Sequence, residues 1–200
     1  GIIKGPWIHQ NIIDTLSNIK KNKRITGGSR GHESDGFCAA LPFFLHTNSV
    51  YNLKRIISIV CTSPISIKYG LAKIYIINYA IQGSKNPINS FLKKYRRSSY
   101  FKEVVQGIYR VKRMKSKPHS YVVKKLGISC RYPGTFNSSI HAIIKSTTYK
   151  KAILMTISAG GCNCSRSNFV GSYFAALKGL KSIPPNWISK CFHSKSILKL

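Results

Sequence analysis

Gly160, Gly161, Cys162, Asn163, Cys164, Ser165 and Arg166 put two thiols, a hydroxyl and a guanidinium on one short turn, behind a glycine pair and ahead of an apolar stretch. Thiolates two residues apart can share a soft metal ion, but a C-x-C pair is half of a four-ligand zinc set, and no second pair follows at zinc-finger spacing. His141 or His193 could complete a soft-metal site in the folded chain. The alternative is that Cys162 and Cys164 are small packing residues.

A second group lies upstream, in the loop from Gly27 to Gly36. Gly27, Gly28 and Gly31 can let backbone N–H groups approach a phosphate, and the N-terminus of a following helix adds favourable dipole charge. Arg30 could pair with a diphosphate. Glu33 and Asp35 oppose an anion but suit a ribose hydroxyl, and the same glycines also suit an ordinary helix-capping loop. His32 reads as a surface histidine, and His9, His46 and His119 carry no local pattern.

Helices must position both groups. Ile8, Ile12, Ile13, Leu16 and Ile19 recur at helical spacing ahead of Lys20, Lys21, Lys23 and Arg24, where cations suit the negative end of a helix dipole. Asp35 is expected to cap a helix over Phe37 to Leu45, bent at Pro42. Ile56 to Val60 and Ala72 to Ile81 are separated by the breaker Ser63-Pro64, and the spacing of Leu71, Ala72 and Ala80 makes Ile74 to Ile77 helical rather than a strand. Further helices are expected over Phe101 to Met114, Ile140 to Ile144, Lys150 to Ser158, Asn168 to Leu180 and Pro185 to Cys191. Gly171, Ala175, Ala176 and Gly179 recur at three- or four-residue steps, which lets a neighbouring helix approach closely. The expectation is an all-α chain without internal repeats.

Charge sets the chain apart. Against 33 Lys and Arg stand only Asp14, Asp35, Glu33 and Glu103, a formal net charge of +29 in 200 residues. Such a field attracts polyanions and opposes compaction. Ten basic residues between Lys93 and Lys117 are interleaved with Tyr95, Tyr100, Phe101 and Tyr109, a composition suited to phosphate contact and base stacking. The excess is nevertheless spread along the whole chain, so the expectation is weak, salt-sensitive polyanion binding centred on residues 93–117. The 24 Lys, 12 Asn and 27 Ile would also follow from G-to-A drift in the coding DNA.

No apolar run approaches the roughly 18 residues of a membrane span, and the first residues lack a basic region followed by an apolar stretch and cleavage site, so neither a membrane nor a secreted protein is expected. Cys38, Cys61, Cys130, Cys162, Cys164 and Cys191 show no disulfide framework. Reduced thiols in an intracellular, cytoplasmic compartment are expected.

Residues 153–187 resemble the C-terminal signature of the ADP-ribosylglycohydrolase family, in which a G-G-D-x-D-T or G-G-D-N-x-S-R turn precedes a helix and an I-P-x-x-W segment. The G-G-C-N-C-S-R reading is similar to the branch that holds the J-class lens crystallins and selenoprotein J. Ser129 to Ser146, SCRYPGTFNSSIHAIIKS, resembles the family's S-C-x-x-P-G-S-F helix start, and Gly27 to Leu45 its substrate loop and the helix behind it.

The resemblance implies the family's orthogonal helical fold, as a single partial domain over residues 1–200. Because the chain opens at a family-like Gly5-Pro6-Trp7, the N-terminal third of the family fold is expected to be missing. It also implies that an ADP-ribose-like ligand would meet Gly27, Gly28, Arg30, Gly31, Ser34, Asp35 and Gly36. Active members use magnesium held by carboxylates and hydroxyls. Cys162 and Cys164 stand at two aspartate positions and Ser165 at a hydroxyl position, so no catalytic residue, metal or other cofactor is expected here. The function implied is that of a diverged, non-catalytic family member of crystallin-like type; the alternatives are an active metal-dependent ADP-ribosyl hydrolase, or polyanion binding through residues 93–117.

Overall fold

The computed structural model describes residues 8–199; Gly5-Pro6-Trp7 lie outside it. Among the described residues twelve α-helices follow one another: α1 (Gln10–Lys20), α2 (Asp35–Thr47), α3 (Leu53–Val60), α4 (Pro64–Ile81), α5 (Pro87–Tyr95), α6 (Lys102–Arg113), α7 (His119–Leu126), α8 (Gly134–Lys145), α9 (Tyr149–Ser158), α10 (Asn163–Lys178), α11 (Pro185–Ser189) and α12 (Ser194–Ile197). Among the described residues there is no strand, only an isolated bridge between Gly28 and Cys61. The all-α expectation holds.

α4 is the axis. Its apolar residues face several directions at once, with Ile67, Leu71, Ile74, Ile76 and Ile77 all buried, as expected of a helix surrounded by others. Pro64 sits in its first turn, where a missing N–H costs nothing. α2 and α3 pack together and on α4, and α10 packs on α4, α8 and α9. One continuous hydrophobic cluster runs from Phe37 on α2 to Phe174 on α10.

Several boundaries differ from the sequence expectation. Asp35 is not the cap of α2: Ser34 precedes the helix without a capping side-chain bond, and Asp35 is its first residue, its Oδ2 3.0 Å from His9 Nδ1. Pro42 lies inside α2. α10 begins at Asn163, five residues earlier than the apolar pattern suggested, so the C-x-C turn is its first turn rather than a separate loop. Gly179 caps the end of α10 at φ +74° and faces open space. It has no packing role, whereas a Cβ at Gly171 would press on the Tyr149 hydroxyl at 3.2 Å. α1 also departs from its pattern: Asn11 and Thr15 are buried while Ile13, Leu16 and Ile19 are exposed.

α5, α7 and α12 lie outside the helices expected from the sequence. In α5 the Asn86 side chain accepts from Asn89 N–H and Pro87 opens the first turn, both standard helix-start chemistry. Ile88, Phe91 and Leu92 then face the core.

Candidate functional site

The glycine loop and the C-x-C turn are distant in sequence but are joined by one segment, residues 128–132. At one end Cys162 N–H donates to Ile128 O over 2.8 Å. At the other, Tyr132 N–H donates to His32 O over 2.8 Å, and Arg131 Nε lies 3.4 Å from Glu33 Oε1. Gly160 and Gly161 both adopt left-handed φ values, +72° and +68°. At Gly161 a Cβ would stand 2.3 Å from Ile128 O. The second glycine is therefore required for the turn to reach the bridging segment.

Arg166 holds the turn from within. Its guanidinium donates to Gly160 O, to Asn163 Oδ1 at 2.9 Å and to Ile128 O at 3.4 Å. The whole residue is buried, and burial pushes its pKa below the usual arginine range while the nearby Cys162 opposes the shift. Cys162 Sγ and Ser165 Oγ lie 3.2 Å apart. Cys162 also neighbours Cys130, whose thiol burial pushes up to about 11.

Beneath these segments lies a residue that the sequence reading passed over. Lys73 of α4 has no solvent exposure, and its Nζ donates to Ser34 Oγ over 2.5 Å. The Ser34 and Tyr132 hydroxyls are 3.0 Å apart. The amine also faces the rings of Phe37, Tyr132 and Phe169 at 4.7, 4.9 and 5.4 Å, so cation–π attraction replaces part of its lost hydration. Desolvation still dominates and pulls its pKa down to about 7, against the opposing fields of Cys38, Asp35 and Cys162. The available signal was a single cation inside the apolar run Gly70 to Ile77.

The loop residues sit as follows. Gly28 N–H donates to Val60 O and its carbonyl accepts from Thr62 N–H. A Cβ at Gly27 would strike Ser58 O, and one at Gly36 would strike Ile57, so these two glycines serve close contact with α3. Gly31 faces Glu33 and Asn11. Arg30 makes two bonds to Asp14, at 2.8 and 3.2 Å. Ser34 and Asp35 are engaged with Lys73 and His9.

The two histidines considered for a soft-metal site have their contacts away from the turn: His193 precedes α12 and packs on Phe192. His141 stacks on His119 and lies 3.1 Å from Met114 O through Nε2. Among the described residues no group of three or more His, Cys, Asp or Glu is placed to hold a metal ion.

The ADP-ribosylglycohydrolase family model matches residues 5–200. The chain belongs to the ADP-ribosylglycohydrolase family. Crystallin J1A of Tripedalia cystophora is 23% identical over 98% of this chain, and crystallin J1B of the same organism 22% identical over the same share. The chain spans 61% of the length of each of these relatives. In structure it resembles a chain of an ADP-ribosylglycohydrolase-related protein complex, with a TM-score of 0.70 at 13% identity, covering 94% of this chain and 65% of that one. This likeness bears out the expected fold. No helix among the described residues is long and apolar enough to cross a membrane.

Proposed function

We propose that this protein is a non-hydrolytic member of the ADP-ribosylglycohydrolase family with a structural role like that of its crystallin relatives, and that residues 1–200 form one partial domain of that fold. The observation that carries the reading is the donor set at the C-x-C turn. Magnesium seeks hard oxygen ligands in octahedral array. The turn offers thiol sulfur at Cys162 and Cys164, and the Ser165 hydroxyl sits against Cys162 Sγ. Two further oxygens of the turn, Asn163 Oδ1 and Gly160 O, accept from Arg166, and its positive charge opposes a divalent ion. These residues do not fit magnesium.

An ADP-ribose-like ligand remains the natural candidate for the Gly27 to Gly36 loop. Glu33 and Asp35 are suited to ribose hydroxyls, and the Arg30 guanidinium, largely exposed beside Asp14, to a diphosphate. Binding there would require Arg30 to exchange Asp14 for the ligand.

Calorimetry with magnesium and ADP-ribose, run beside an assay for ADP-ribose release from a modified protein, tests the reading. The expected result is no tight magnesium binding and no release. Magnesium-dependent release abolished by Ser165→Ala would establish the active-hydrolase alternative instead. Loss of ADP-ribose affinity in Arg30→Ala would support the loop as the ligand site.

A further inference from the structure

We propose that the recess between α5, α6 and α8 is a binding site for a small, multiply charged phosphate ligand. The proposal is independent of the reading above and concerns a different face of the molecule.

Two cavities adjoin here. One, of about 430 Å³, is lined by Lys85, Asn89, Lys112 and Lys115, with Ile143 and Tyr173 among the residues of its floor. The other, of about 610 Å³, is lined by Lys112, Arg113, Lys115, Ser116 and Lys145. Lys112 and Lys115 are shared walls, so five cationic side chains border one concave region. Either volume suits a small ligand.

Among the described residues no Asp or Glu side chain offsets them. Each of the four Asp and Glu side chains is paired elsewhere: Asp14 with Arg30, Glu33 with Arg131, Asp35 with His9 and Glu103 with Lys68. Glu103 lies in the first turn of α6, whereas Lys112 and Arg113 lie in its last. Repulsion among converging cations is relieved by a bound anion, and the apolar floor strengthens that attraction by lowering the local dielectric.

Part of the site is already held in place. Lys112 Nζ donates to Asn89 Oδ1 over 2.6 Å. Lys145 Nζ donates to the carbonyls of Lys115, Ser116 and Lys117, at 3.2, 3.3 and 2.7 Å, which fixes the turn that carries Lys115. Holding these groups in advance reduces the ordering cost of binding. A phosphate chain with several negative oxygens matches this arrangement better than a monovalent anion, because it can contact Lys85, Lys112 and Lys115 together.

The test must separate a site from diffuse charge. Inorganic tripolyphosphate is titrated into the 200-residue chain at about 0.15 M salt, into Lys85→Gln/Lys115→Gln, and into the charge-matched control Lys21→Gln/Lys23→Gln at the end of α1. The site pair is expected to lose about tenfold or more in affinity and the control less than about twofold. Equal losses in the two pairs would overturn the proposal. So would an affinity that grows with the length of a single-stranded oligonucleotide while tripolyphosphate fails to saturate one-to-one, since that describes a diffuse field. Tripolyphosphate should also protect Lys115 but not Lys21 from acetylation in the unmutated chain, a measurement that needs no variant to fold; equal protection at both positions would count against the site.

Discussion

His119 Nδ1 lies 3.0 Å from His141 Nδ1, with the two rings stacked at 11° and both residues buried between α7 and α8. The tautomers follow from the partners. His141 Nε2 faces Met114 O, so it carries the proton and donates, leaving His141 Nδ1 as an acceptor for His119 Nδ1–H. His119 Nε2 is then a buried lone pair without a partner.

Protonating His141 at Nδ1 removes the acceptor of this pair, and protonating His119 at Nε2 places a charge on a buried nitrogen without a partner, so either event costs stability and gives a pH dependence. Burial first, then the neighbouring His141, pulls the His119 pKa down to about 4, and burial lowers that of His141 too. Above the unfolded value of about 6.5 the pair's stabilisation is fully present. It is lost as pH falls towards 4, because the unfolded state then binds more protons. Denaturant melts between pH 7.5 and 4.5 should show falling stability, and His119→Leu should flatten that slope while costing about 1–2 kcal/mol at pH 7 through the unpaired His141 nitrogen. An unchanged slope in the variant would rule the pair out as its source.

Lys73 has a different window. Its folded pKa of about 7 lies below the ordinary 10.5, so stability rises with pH between those values and the full burial cost stands below pH 7. Lys73→Met keeps the shape and removes the charge. It should be more stable than the parent at pH 6, on the order of a few kcal/mol, with the gap narrowing by pH 9. Chemical denaturation at both pH values measures the difference, and a destabilised variant at pH 6 would mean that the three aromatic rings and Ser34 repay the buried charge in full.

The two turn glycines should respond unequally to alanine. Gly160 and Gly161 share a left-handed φ, which costs about 1 kcal/mol in either case. Only Gly161 would also drive a Cβ into Ile128 O. Gly161→Ala is expected to lower the melting temperature clearly more than Gly160→Ala, and equal shifts would argue that the bridging segment can give way.

Arg166→Met should loosen the same turn. It removes the donors to Gly160, Asn163 and Ile128, a loss of about 2–4 kcal/mol. Thiol titration should then find Cys162 reacting faster than in the parent. Unchanged thiol kinetics alongside a lowered stability would place the role of Arg166 in general packing rather than in holding the turn.

Local signals in the chain determined much of the architecture. Apolar spacing marked α6 and α9, because a helix with a buried face leaves a 3.6-residue period that needs no knowledge of its neighbours; of α4, buried on several sides, it marked only Ala72 to Ile81. The G-G-C-N-C-S-R turn likewise marked a site, since a glycine pair and thiols beside a helix start are visible in one dimension. α5 carried the same kind of signal in Asn86, Pro87, Ile88 and Phe91, but the basic residues after Lys93 drew attention to charge. In the fold Phe101 is buried and Tyr95 packs beside it, so two of the four aromatics read as a stacking surface belong to the interior.

Tertiary structure alone decided which groups meet. No spacing rule joins Ser34, Lys73 and Tyr132, because their contact depends on how α4 passes beneath two separate loops. Period likewise could not reveal that α1 turns Asn11 and Thr15 inward while Ile13, Leu16 and Ile19 face out. That choice was made by hydrogen bonds: Asn11 Nδ2 donates to Glu33 Oε2 and Thr15 Oγ1 reaches Val60 O, and a helix orients by the partners it finds as well as by the stripe it carries.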